Sequence, residues 1–217
     1  MMRIQNILDG GQLPVIAILR GLRPAEAVAI GEALLSGGIR IIEVPFNSPE
    51  PLVSIERLAS RFGAEALIGA GTVRSVAEVE SVVSAGGRLI VSPHTDAEVI
   101  ARAVALGMDC LPGCLSPTEA FTAIKAGATD LKMFPAATLG PGHLRALCEV
   151  LPRSVRVWAV GGTGANDLAA WVASGACGIG VGGALYMAGD MPQQVRERAI
   201  ALRSVWWGAA HPHRMKD

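Results

Sequence analysis

Along the chain, short and nearly continuous apolar runs alternate with stretches whose apolar residues recur every three or four positions. The runs cover residues 15–19, 39–46, 66–69, 89–91, 108–111, 131–134, 155–160 and 178–181. They lack the in–out alternation of a half-solvated strand, so each reads as a parallel strand buried on both faces. The intervening stretches read as amphipathic helices with their own start and stop signals. Ala27, Ile30 and Leu34 share a face between Pro24 and the Gly37-Gly38 pair. Ser75 and Glu78 have capping-box spacing ahead of Val79, Val82 and Val83. Asp96 can cap a helix carrying Val99, Ile100 and Ala103, which Gly107 closes. Residues 116–127, 142–151, 165–175 and 192–207 repeat the theme, the last with Val195, Ala199, Leu202 and Trp206 on one face. Residues 2–10 predict a short helix ahead of the first strand.

Eight strands alternating with helices in 217 residues predict one α/β domain over residues 1–217. The expected architecture is a (β/α)8 TIM barrel with a short N-terminal helix, and an open doubly wound sheet is the alternative. No linker or low-complexity stretch divides the chain, and the 51% hydrophobic content suits a well-buried core. No apolar run approaches about 18 residues, so no membrane span is expected. Without a signal-peptide core, the expected compartment is the cytoplasm. The 19 basic and 19 acidic residues cancel with no basic stripe, which argues against nucleic acid as partner. Cys110 and Cys114 are four apart but lack a second pair at zinc spacing; with Cys148 and Cys177 they read as reduced packing thiols. No metal set is found, and no nucleotide fingerprint: Gly69-Ala70-Gly71 lacks its third glycine. No cofactor is expected.

Lys132, Glu43 and Arg20 are the charges in or beside these runs with the clearest chemistry. The chain has three lysines. Lys125 suits a helix C-terminus and Lys216 lies in the tail, but Lys132 sits inside the sixth apolar run. A buried ammonium is costly. It serves either as a barrel-filling ion pair or as an amine whose pKa desolvation lowers, ready to attack a carbonyl. Glu43, inside the second run, is either a salt-bridge partner of Lys132 or Arg20, or the proton carrier that imine chemistry needs. Arg20, at the end of the first run, suits a substrate carboxylate or phosphate. Gly161-Gly162 and Gly182-Gly183 follow the last two runs, where barrel loops bind phosphate through backbone N–H groups. His94, after Pro93, is a further acid/base candidate at the barrel mouth. His143, His211 and His213 read as surface residues.

These residues resemble the class I aldolases that cleave 2-keto-3-deoxy-6-phospho sugar acids, over residues 13–187. The matching stretches are Ile18-Leu19-Arg20-Gly21, the run from Glu43 to Pro49, Ile68-Gly69-Ala70-Gly71-Thr72-Val73, Val91-Ser92-Pro93, Pro112-Gly113-Cys114, Leu131-Lys132-Met133-Phe134-Pro135-Ala136 and Ala159-Val160-Gly161-Gly162. The resemblance implies that Lys132 forms the Schiff base and that Glu43 shuttles protons. It implies that Thr72, Pro93 and Phe134 line the pyruvate end, and that Arg20 lies near the keto-acid carboxylate. The phosphate would fall to Gly161, Gly162, Gly182 and Gly183. It also implies a metal-free homotrimer acting on a small keto-acid phosphate. Asn47 and Val160 stand where the gluconate-specific branch has arginine and threonine. Both look like the 6-phosphogalactonate branch. Gly183 departs from the family, which often has serine there. Rival readings are a phosphate-binding barrel that isomerises or decarboxylates its substrate, using Lys132 as a plain acid/base, and a non-catalytic sugar-phosphate sensor.

Overall fold

The computed structural model describes residues 2–210. After helix α1 (Ile4–Asp9), strands and helices alternate: β1 (Leu13–Ile18), α2 (Ala27–Ser36), β2 (Ile39–Pro45), α3 (Pro51–Phe62), β3 (Leu67–Gly71), α4 (Val76–Ser84), β4 (Leu89–Val91) and α5 (Ala97–Ala105). There follow β5 (Asp109–Leu111), β6 (Gly113–Cys114), α6 (Pro117–Lys125), β7 (Asp130–Met133), α7 (Ala136–Val150), β8 (Arg156–Val160), α8 (Leu168–Ala173), β9 (Gly178–Val181) and α9 (Pro192–Ala210). All pairings are parallel, in the order β5-β4-β3-β2-β1-β9-β8-β7-β6. The two ends of this order, β5 and β6, are halves of one stave interrupted at Pro112. Proline has no N–H to give a ladder, but its carbonyl still accepts the Lys132 N–H at 2.9 Å. The sheet therefore closes into the expected barrel of eight staves.

Several boundaries differ from those the sequence predicts. Helix α3 escaped the pattern because Glu56, Arg57, Ser60 and Arg61 dilute its apolar stripe. It starts with Pro51 in its first turn and buries Ser54, Ile55, Leu58 and Phe62 on one side. Helix α7 begins six residues before the expected 142, broken at Gly140 (φ 77°) ahead of Pro141. The capping box predicted at Ser75 is half made: Ser75 accepts from the Glu78 N–H, while Glu78 reaches past it to the Arg74 N–H. The reciprocal pair forms at Ser116 and Glu119.

One core lies between barrel and helices; a second fills the barrel with Ile16, Ile41, Leu67, Leu89, Leu111 and Trp158. Ile4 and Ile7 of α1 plug the bottom of that inner core. Two buried acids at the starts of strands hold the plug. Asp109 accepts from the Ile4 N–H and from Arg3 Nε, both at 3.1 Å. Asp130 takes two bonds from Arg156 (2.7 and 2.6 Å) and one from Trp158 Nε1, and Arg156 also donates to Gln5. With that end of the inner core plugged, the barrel interior opens at the C-terminal ends of the strands. Among the described residues, no helix is long and apolar enough to cross a membrane.

Candidate active site

At the open end lies a cavity of about 470 Å³. It is lined by Arg20, Glu43, Thr72, Pro93, Lys132, Phe134, Val160, Gly161, Gly162, Gly182 and Gly183, all expected from the sequence, together with Ile18, Thr163, Gly180 and Ala184.

Register explains why the charged groups meet. Glu43 is opposite Ile18 across β1–β2 and opposite Gly69 across β2–β3. Its neighbours along β2, Ile42 and Val44, point into the outer core, so the pleat turns Glu43 inward. Lys132 is inward on β7, between the outer-core residues Leu131 and Met133. Glycine makes the space: a Cβ on Gly71 would stand 1.5 Å from Glu43 Oε2. In the sequence Gly71 has a place in a failed nucleotide fingerprint and in a family-matching stretch, but nothing hints that it makes room for Glu43.

Glu43 is 2% exposed and Lys132 6% exposed. Glu43 Oε2 is buried without a hydrogen-bond partner, and among the described residues no Lys or Arg nitrogen comes within 4.0 Å of the carboxylate. The barrel-filling salt bridge is therefore not formed. Burial raises the Glu43 carboxyl to about 7, against the opposing pull of Lys132 and Arg20. Burial also lowers the Lys132 ammonium from its ordinary value, opposed by Glu43 and assisted by Arg20. Lys132 Nζ lies 4.5 Å from the centroid of the Phe134 ring. Such a pair can present a neutral amine beside an acid–base group titrating near neutrality.

The rim is held by unusual backbone. Thr72 has φ 58°, a left-handed conformation rare for a β-branched residue. Gly161 (φ 100°) and Gly162 (φ 75°) are required as glycines: a Cβ would meet the Phe134 ring at 3.1 Å or Ala137 Cβ at 2.6 Å. Thr163, also missed in the sequence, is buried and donates to the Gly180 carbonyl at 2.7 Å, tying this turn to β9. After β9, the Leu185 and Tyr186 N–H groups both bond to the Gly182 carbonyl, forming one helical turn whose first residues, Gly182, Gly183 and Ala184, line the cavity. Gly183 has open space where a Cβ would be. The two glycine turns line one cavity, and backbone N–H groups in such turns are suited to an oxyanion.

Other expected residues fall elsewhere. Arg20 lines the cavity from the turn after β1, two residues beyond the strand, not from the strand itself. Asn47 is exposed in the turn after β2 and does not line the cavity. His94 also lies off the lining, with its ring half-exposed 4.0 Å from Asp96. His143 bonds to the Leu115 carbonyl at 2.7 Å; His211, His213 and Lys216 lie outside the described residues. All four cysteines are free, and burial pushes the Cys110 and Cys114 thiols up to about 12.

Comparison with known proteins agrees with this geometry. The chain is 45% identical over 191 residues to the 2-dehydro-3-deoxy-6-phosphogalactonate aldolase of Escherichia coli K12, covering 88% of this chain and 93% of that one. It is 46% identical over 193 residues to a probable 2-dehydro-3-deoxy-6-phosphogalactonate aldolase of Rhizobium meliloti, covering 89% and 91%. The solved native KDPGal structure superposes with a TM-score of 0.90 at 43% identity, covering 92% of this chain and 97% of that one. The family model for KDPG and KHG aldolases matches residues 4–199. The chain belongs to the KDPG and KHG aldolase family, and it is an aldolase, a carbon–carbon lyase.

Proposed function

We propose that this aldolase cleaves 2-dehydro-3-deoxy-6-phosphogalactonate to pyruvate and glyceraldehyde 3-phosphate through a Schiff base on Lys132. The observation that carries the reading is an unpaired, desolvated lysine amine sharing one closed-bottomed cavity with a carboxyl group raised to about 7. Neutral Lys132 Nζ adds to the C2 carbonyl carbon, and the oxygen is protonated to give a carbinolamine. Loss of water leaves the iminium. Glu43, directly or through water, takes the C4 hydroxyl proton; the C3–C4 bond breaks, its electron pair forms the enamine, and the aldehyde departs. Glu43 returns a proton to C3, and hydrolysis releases pyruvate and regenerates the amine. The iminium supplies the electron sink, so no step calls for a cofactor.

Arg20 takes the keto-acid carboxylate, and Thr72, Pro93 and Phe134 bound the pyruvate end. The N–H groups at Gly161, Gly162, Gly182 and Gly183 take the phosphate. The galactonate epimer is supported by the two relatives and by Val160 on the cavity wall. Asn47 lends it no support from the lining. The family resemblance further suggests a cytoplasmic homotrimer with one catalytic domain per chain. A coupled pyruvate-release assay on both epimers, with EDTA present, tests the reading. Faster turnover of the galactonate epimer is expected. Equal rates would overturn the substrate assignment, and loss of activity in EDTA would overturn the cofactor-free mechanism.

A further inference from the structure

Arg20 is the one guanidinium lining the cavity among the described residues, and it stands on a turn, not a strand. The turn is residues 19–22, closed by the Leu22 N–H to the Leu19 carbonyl at 3.2 Å, with Gly21 at φ 83°. That is a type II arrangement with Arg20 in the second position. A two-residue excursion of this kind is held by a single backbone bond unless something else pins it. Ser48 does so. It is 8% exposed, and its Oγ accepts from the Gly21 N–H at 3.0 Å and donates to the Leu19 carbonyl at 3.4 Å. Ser48 is itself fixed by a second tight turn, its N–H bonding to the Pro45 carbonyl at 2.9 Å. Pro45 ends β2, the strand that carries Glu43, and the Leu19 N–H bonds to the Glu43 carbonyl at 3.0 Å. One hydroxyl thus couples the base of Arg20 to the strand that places the acid–base group.

We infer that Ser48 is a positioning residue for Arg20, holding the guanidinium turn in the geometry that receives the substrate carboxylate. The inference rests on the proposed role of Arg20. Removing the hydroxyl leaves the Gly21 N–H without its partner and the Leu19 carbonyl with the Leu22 N–H alone, which frees the turn to move. Loss of one such bond weakens carboxylate binding about fivefold to tenfold. The amine and Glu43 are untouched, so covalent capture of saturating pyruvate is unaffected.

The test measures the pyruvate concentration giving half-maximal borohydride trapping, for the parent, Ser48→Ala, Ser48→Thr, Arg20→Ala and the Ser48→Ala/Arg20→Ala double variant. Ser48→Ala should raise that concentration about fivefold or more with full trapping at saturation. Ser48→Thr, which keeps the hydroxyl, should stay within about twofold of the parent. In the Arg20→Ala background, Ser48→Ala should add nothing, because there is no guanidinium left to position. An unchanged half-saturation in Ser48→Ala, or a full additive penalty in the double variant, overturns the inference while Arg20→Ala alone still shows a defect. No defect in Arg20→Ala overturns instead the reading of Arg20 on which it stands. If Ser48→Ala does not fold, Ser48→Cys keeps the volume with a weaker hydrogen bond, and the same comparisons decide.

Discussion

Replacing Gly71 by alanine puts the placement of Glu43 under direct strain. The new methyl carbon would lie 1.5 Å from Oε2, 2.2 Å from Cδ and 2.6 Å from Oε1. Ordinary contact needs about 3.5 Å, so the carboxylate must retreat about 2 Å. It is nearly fully buried and cannot swing freely into solvent. A misplacement of about 1 Å in a reacting group can cost about a hundredfold in rate, and losing general acid–base help costs about 10² to 10⁴. Gly71→Ala should therefore lower kcat at least about a hundredfold. Overpacking should cost about 1–3 kcal/mol of stability, small enough to leave the barrel folded. Gly71 is not in the left-handed region, so alanine suits the backbone and the damage comes from contact alone. Steady-state pyruvate release reports kcat, and thermal unfolding with near-ultraviolet circular dichroism checks the fold. Gly142→Ala, where a Cβ meets nothing within 4 Å, is the control and should leave both unchanged. A Gly71→Ala enzyme within about threefold of the parent kcat, alongside an inactive Glu43→Gln, would refute the reasoning, because the carboxylate would then work from elsewhere.

Burial raises Glu43 from 4.5 to about 7, so its ionisation destabilises the fold progressively above pH 4.5 and fully above pH 7. Glu43→Gln should stabilise by about 3 kcal/mol at pH 8 and by almost nothing at pH 4, read by denaturant unfolding, and should abolish the limb near pH 7 in the pH profile of kcat/KM. Asp130→Asn strands Arg156 at the bottom of the barrel and should cost about 3 kcal/mol, near the low end for a broken buried pair because Arg156 keeps some solvent. Activity per folded molecule, measured at low temperature, should not change. Gly162→Ala, at φ 75° and 2.6 Å from Ala137 Cβ, should raise KM for the phosphorylated substrate and weaken inhibition by inorganic phosphate. Pyruvate trapping should be untouched.

Barrel architecture was legible because a parallel strand covered on both sides must be apolar throughout, which made Lys132 and Glu43 conspicuous. Position along the strand then separates their role from that of other buried charges. Asp109 and Asp130 also sit on strands, but at the starts, where they fasten α1. The β5/β6 interruption was hidden because a single proline does not look like a break in a run that resumes as glycine and cysteine. Side-chain reach was not legible either. Asn47 is adjacent in sequence to cavity-forming structure yet faces outward, whereas Gly71 and Thr163 contribute by making room and by tying loops, roles with no composition signature. The glycine pair at 161–162 announces itself through conformation; the pair at 182–183 does not, since neither residue has positive φ.

In the proposed mechanism Lys132 carries the substrate covalently. Incubation with pyruvate and sodium borohydride, followed by peptide mass spectrometry, should place a reduced pyruvate adduct on Lys132 alone, and Lys132→Arg should show neither adduct nor aldol cleavage. A label on Lys125 or elsewhere, or cleavage persisting in Lys132→Arg, would contradict the account.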